Sequence, residues 1–168
     1  MSESGANPNV YEVLPHVTPE AIVLYCSDPC FQTAFVPFVE NELGLAKGRY
    51  VPFVVAGGPG VLANPERRPK EFKFLRDRFE LLHEHFASLR RLVLINHEDC
   101  AYYRMLAREV PGLKEPGADL RHWPRADLPS IAQTVHRLCG HLGWNIELYY
   151  ARFTGADAGH VTFDRVPL

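Results

Sequence analysis

Three apolar runs set the frame of the chain: Ala21–Tyr25 (AIVLY), Tyr50–Val55 (YVPFVV) and Leu92–Ile95 (LVLI). Each is continuous rather than alternating and rich in β-branched or aromatic residues. Runs of this kind fit parallel strands covered by helices on both faces, and they fall far below the ~20 residues needed to cross a bilayer. Pro52 has no N–H to give to a ladder, so the second run is expected at the edge of its sheet.

Helical patterns fill the intervals. Phe31–Leu43 reads as a helix that Pro37 kinks or shortens. Phe72, Leu75, Phe79, Leu82 and Phe86 recur at steps of three and four, which predicts a helix from about Lys70 to Leu89 with Pro69 among its early residues. Another helix is expected after Cys100, and a further one from about Leu128 to Leu142, ending before Gly143. A last strand is expected over Asn145–Phe153. There Ile146, Leu148 and Tyr150 alternate, so one face is expected to be exposed. Val110–Pro129, rich in Pro and Gly, reads as a surface loop. The order predicts one three-layer α/β domain over residues 1–168, with residues 1–18 as an irregular arm. Its central sheet is expected to be mostly parallel, with about four strands flanked by helices.

The charge balance narrows the partners. With 18 basic and 20 acidic side chains the formal charge is -2, so no basic field calls for nucleic acid. Met1–Val10 is polar and lacks the basic start and apolar middle of a secretory signal. A cytoplasmic protein with neither nucleic-acid nor membrane partners is expected. In a reducing compartment its four cysteines are better read as ligands or redox groups than as staples.

Two of these runs end directly in chemistry-bearing segments. The first passes into Cys26-Ser27-Asp28-Pro29-Cys30 and the third into Asn96-His97-Glu98-Asp99-Cys100. In an open parallel sheet, ligands collect at the carboxyl ends of the strands. Neighbouring strands lie roughly 5 Å apart, so adjacency of the first and third would bring Cys26 beside His97 and Cys100. Two thiolates and an imidazole make a Cys2His zinc site whose fourth tetrahedral position is open or filled by a carboxylate. Cys100 would open the next helix, where free N–H groups favour a thiolate. Two other readings of these thiols stand beside this one: buried inert cysteines, and a redox pair made by Cys26 and Cys30.

The motifs resemble those of the β-class carbonic anhydrases. That family carries C-x-D-x-R after its first strand, an R-N-A-G-N-like loop after the second and H-x2-C after the third. This chain has CSDPC at Cys26–Cys30, VVAGG at Val54–Gly58 and HEDC at His97–Cys100, in the same order and spacing. The likeness runs from about Ala21 to Leu106, with an echo in Gly143–Gly159. It implies Zn2+ on Cys26, His97 and Cys100, and hydration of carbon dioxide to bicarbonate by zinc-bound hydroxide. Asp28, matching the motif aspartate, either accepts a hydrogen bond from the nucleophile as the catalytic residue or, in a closed state, becomes the fourth ligand. A homodimer or higher homo-oligomer is implied as well.

Three departures bear on that function. Cys30 replaces the motif arginine, Val54 and Val55 replace the loop Arg-Asn pair, and Ala101 replaces the glycine usual after H-x2-C. Cysteine offers no fork of donors to hold Asp28 away from the metal. The alternative implied is a divergent zinc-binding homologue, structural or regulatory, or one acting on a related electrophile such as carbonyl sulfide or carbon disulfide.

Other signals read as ordinary. Gly57 and Gly58 allow close backbone approach, and Gly57-Gly58-Pro59-Gly60 lacks the Lys-Ser/Thr of a nucleotide P-loop. The basic residues from Arg67 to Arg78 are interleaved with acids and read as a solvated helix face. His136, Cys139 and His141 read as helix-end residues rather than a second metal cluster. No one of His83, His85 and His122 stands out as a proton shuttle.

Overall fold

The computed structural model describes residues 10–109 and 119–168. Their elements run β1 (Ala21–Cys26), α1 (Pro29–Pro37), β2 (Tyr50–Val55), α2 (Pro69–His85), β3 (Arg91–His97), α3 (Ala101–Glu109), α4 (Trp123–Cys139), β4 (Asn145–Thr154) and β5 (His160–Val166). A wider helical turn over Phe38–Glu42 extends α1 beyond Pro37, and a 3-10 turn over Gly58–Leu62 follows β2. The sheet order is β2-β1-β3-β4-β5, parallel except for β5, which pairs antiparallel with β4. β2, which contains Pro52, is an edge, as a residue without an N–H requires.

Both faces of β1, β3 and the middle of β4 are buried, because successive side chains of each strand point to opposite sides and each side is covered. Ile22, Leu24, Leu92, Leu94, Leu148 and Tyr150 meet Phe72, Leu75 and Phe79 of α2 and Leu128, Ile131 and Val135 of α4. Ala21, Val23, Tyr25, Val93, Ile95 and Tyr149 meet Phe31 and Phe35 of α1 together with Phe38 and Val39. Each large apolar side chain buried in these layers stabilises the fold by about 1.5–3 kcal/mol. No helix among the described residues is long and apolar enough to cross a membrane.

The mostly parallel sheet flanked by helices is as expected, with five strands where about four were expected, and three finer expectations need correction. β5 reads His-Val-Thr-Phe-Asp-Arg-Val, an edge strand with charged residues among its apolar ones, and returns through a turn with positive φ at Gly155 and Ala158. β4 has no exposed face at its centre: Leu148 to Ala151 are all buried, because helices cover both sides. α4 starts at Trp123, not Leu128, and ends at Cys139 before a 3-10 turn over Gly140–Leu142. Val110–Pro129 is therefore not one loop. Residues 110–118 lie outside the described part, and from Trp123 onward the segment is helix. Pro124 sits in the first turn, where an N–H has no helical partner, and Pro129 forfeits one further bond without stopping the helix. Of the expected arm, residues 10–18 form no helix or strand, and residues 1–9 fall outside the description.

Candidate metal centre

The pairing of β1 with β3 puts Tyr25 opposite Ile95, so both strands end at the same level. Cys26 is the last residue of β1 and His97 the last of β3. A tight turn follows, with Asp99 at φ 56, and delivers Cys100 to the start of α3. One ligand atom from each of Cys26, His97 and Cys100 lies within 4.8 Å of the other two, and all three residues are buried. The two sulfurs stand 4.0 Å apart. Sulfurs bound ~2.3 Å from a tetrahedral zinc stand roughly 3.8 Å from each other.

The imidazole is set for ligation. Nδ1 of His97 lies 2.9 Å from the carbonyl oxygen of Glu98. A carbonyl only accepts, so Nδ1 carries the proton and Nε2 keeps its lone pair. That Nε2 is buried and has no hydrogen-bond partner. Phe31 fixes the ring from the side, with centroids 4.3 Å apart. Glu98 is itself anchored: its carboxylate accepts from the Phe153 N–H at 2.7 Å and pairs with Arg121, and its own N–H donates to the Ala151 carbonyl. A buried ring nitrogen bare of partners beside two thiols suits a metal ion better than it suits an apolar core.

The sulfurs are not equivalent. Cys26 is drawn down, first by its hydrogen bond with Cys100, against burial, and then by His97 and the Gly57 N–H. Gly57 N donates to Cys26 Sγ at 3.3 Å. Cys100 is raised, chiefly by its bond to Cys26 and by burial, although the amides of Tyr102 and Tyr103 favour its thiolate. The pair thus holds one proton between two sulfurs. The glycines act as expected: Gly57 has φ +86 and Gly58 φ +51, and both backbones come directly against neighbouring atoms.

Asp28 takes a different place. It is the N-cap of α1, and its Oδ1 accepts from the Cys30 N–H at 2.9 Å. It is not a member of the three-residue ligand group. It does line a cleft of 360 Å³ that opens over the two thiols, alongside Pro29, Ala56, Ala101, Tyr102 and Met105. Cys30 is exposed on the first turn of α1, whereas Cys26 is buried and faces Cys100.

The remaining sequence signals fall elsewhere. His83, His85 and His122 do not line the cleft. Cys139 is buried, His141 is exposed near Glu80, and no metal-capable group among the described residues includes them. The basic stretch forms a solvated face, with Lys73 paired to Asp77 and Arg68 to Glu71 and Glu109. Three contributors escaped the sequence reading. Glu98 orients His97 through its backbone carbonyl, which any residue type would supply. Asn96 donates to Tyr103 Oη and to the Pro124 carbonyl behind the thiols. Tyr102 covers the Gly57 peptide.

No protein-family profile matches the chain, and no curated protein matches it. Among solved structures, β-carbonic anhydrase isoform I of Trichomonas vaginalis is 14% identical, over 94% of this chain and 88% of that one, with a TM-score of 0.48. The β-carbonic anhydrase CafD of Aspergillus fumigatus is 11% identical over 92% and 91% of the two chains, with a TM-score of 0.46. One of two tetrameric β-carbonic anhydrases of Sordaria macrospora is 13% identical over 88% and 81%, with a TM-score of 0.41.

Proposed function

We propose that this chain is a zinc-dependent lyase that hydrates carbon dioxide to bicarbonate, with Cys26, His97 and Cys100 as the protein ligands. The observation that carries the reading is the buried, partnerless Nε2 of His97 beside the Cys26–Cys100 thiol pair. Two sulfurs and one imidazole nitrogen are a donor set that suits zinc, and three protein ligands leave a fourth position for water. When bound, zinc supplies Lewis acidity that brings the pKa of water from 15.7 to about 7.

The chain's own residues supply the rest. The Gly57 N–H and the first amides of α3 spread the charge of the two thiolates. Ala56, Ala101, Met105 and the Tyr102 ring wall the cleft with the apolar surface that a small neutral substrate needs. Asp28 Oδ1 is tied to the Cys30 amide, leaving Oδ2 to accept the proton-bearing side of the reacting water and orient it. The helix amide thus takes over part of the restraint that the motif arginine gives in the family this sequence resembles.

One observation favours a second reading, in which the metal is structural or regulatory. No cationic side chain lines the cleft among the described residues, so nothing but the metal would hold an anionic product. The two readings part in a stopped-flow hydration assay on protein shown by elemental analysis to carry one zinc per chain. A rate well above buffer that rises through about pH 7 is expected. Zinc-loaded protein with no rate above background between about pH 6 and pH 9 would leave only the second reading. A cytoplasmic homo-oligomer of single-domain subunits belongs to the same proposal. The exposed Phe74 and Leu81, two turns apart on α2, support association.

A further inference from the structure

We infer that Tyr102, held by Glu71, is a positioning residue for the metal centre: it clamps the Gly57 peptide so that its N–H stays on the Cys26 sulfur. The inference rests on the metal reading of the site and assigns a role to residues that the three-ligand motif does not include.

The chain of contacts is short. The Tyr102 ring lies so close over Gly57 that a Cβ on that glycine would stand 2.5 Å from Tyr102 Cγ and 2.8 Å from Cδ2. Gly57 in turn sends its N–H to Cys26 Sγ at 3.3 Å. The far end of the tyrosine is tied down, because its hydroxyl donates to Glu71 Oε2 at 3.0 Å. Glu71 lies on α2 within 3.7 Å of Arg68, which also bonds Glu109 at the end of α3. One aromatic ring therefore connects a helix outside the site to the peptide that touches a ligand sulfur.

The physical consequence concerns the sulfur rather than the fold. A hydrogen bond to a thiolate withdraws electron density and weakens its donation to a bound ion, in the way that such bonds tune metal–sulfur centres. A Gly57 peptide free to tilt would release that bond and leave Cys26 a stronger donor, while the ligand set stays intact. Glycine at position 57 fits this account, since any side chain there would collide with the ring that does the clamping.

Cobalt(II) in place of zinc makes the sulfur visible through its near-ultraviolet sulfur-to-metal charge-transfer band. Tyr102→Leu should move that band to longer wavelength, because the sulfur it leaves is more electron-rich. Tyr102→Phe and Glu71→Leu, which keep the ring but free its far end, should shift the band in the same direction by less. Glu71→Gln, which retains an acceptor, should restore the wild-type position. Should Tyr102→Leu fail to fold, the two milder variants decide the matter. A band unmoved in every folded variant would overturn the inference while leaving the metal reading in place. A wild-type chain that takes up no stoichiometric cobalt would overturn both.

Discussion

A Cβ placed on Gly58 would stand 2.9 Å from the backbone nitrogen of Cys26 and 3.2 Å from the carbonyl carbon of Tyr25. The loop after β2 thus packs backbone against backbone on the strand end that carries the first candidate ligand. Neither neighbour is a side-chain tip that could swing aside, and φ at Gly58 is +51. Gly58→Ala is therefore expected to destabilise the metal-free protein by about 1–3 kcal/mol through strain and overpacking. Urea unfolding should show a lower midpoint at an unchanged m-value. A midpoint equal to wild type would mean that the two backbones are not in contact.

The shared proton of the thiol pair sets the pH dependence of metal uptake. The two paired thiols hold one proton between them near neutrality, and an ion bound by both must displace it. Zinc binding at about pH 7.5 should release about one proton from the pair. The logarithm of the affinity should rise by about one per pH unit from pH 7 to pH 9. Calorimetry in two buffers of different ionisation enthalpy counts the protons directly. A count near zero or near two would contradict the unequal sharing.

Much of this site was legible because apolar runs end where chemistry begins. Cys26 and His97 close their strands in the sequence as they do in the sheet, and Pro52 marked its strand as an edge. The features that were not legible have specific causes. β5 mixes His160, Asp164 and Arg165 with its apolar residues, so its pattern is that of an ordinary surface segment until β4 pairs with it. The start of α4 was hidden by Pro124 and Pro129, of which the first sits in the opening turn and the second removes one interior hydrogen bond without stopping the helix. Which atom holds a histidine in its tautomer is a backbone matter at Glu98, and no side-chain identity records it.

Asp127 in α4 gives the fold a pH dependence of its own. Its Oδ1 accepts from Trp123 Nε1 at 3.1 Å, but Oδ2 is buried without a partner. Burial raises the carboxyl to about 6, with the neighbouring Tyr103 hydroxyl and then the bond from Trp123 opposing. The folded value thus exceeds the unfolded one of ~3.9, so the chain binds more protons folded than unfolded between them. The stability contributed is complete below about pH 4 and is lost as pH rises through about 6. Asp127→Asn should match wild type near pH 4 and exceed it by about 1–3 kcal/mol near pH 7.5. Urea midpoints at the two pH values test this. A variant less stable than wild type at the higher pH would show that the ionised carboxylate is held favourably after all.

Asp28 is asked to do two jobs, and one substitution separates them. Its side chain caps α1 through the Cys30 amide, and the same carboxylate reaches the cleft above the thiols. Serine caps a helix about as well as aspartate but brings no carboxylate, whereas alanine does neither. Asp28→Ala should therefore lose about 1 kcal/mol of stability, and Asp28→Ser should stay within about 0.5 kcal/mol of wild type. If the carboxylate orients the reacting water, both variants should hydrate carbon dioxide about 100-fold more slowly while still binding one zinc. Thermal or urea unfolding reads the first effect and stopped-flow hydration the second. An Asp28→Ser protein with the full wild-type rate would confine this residue to the helix cap and remove it from the chemistry.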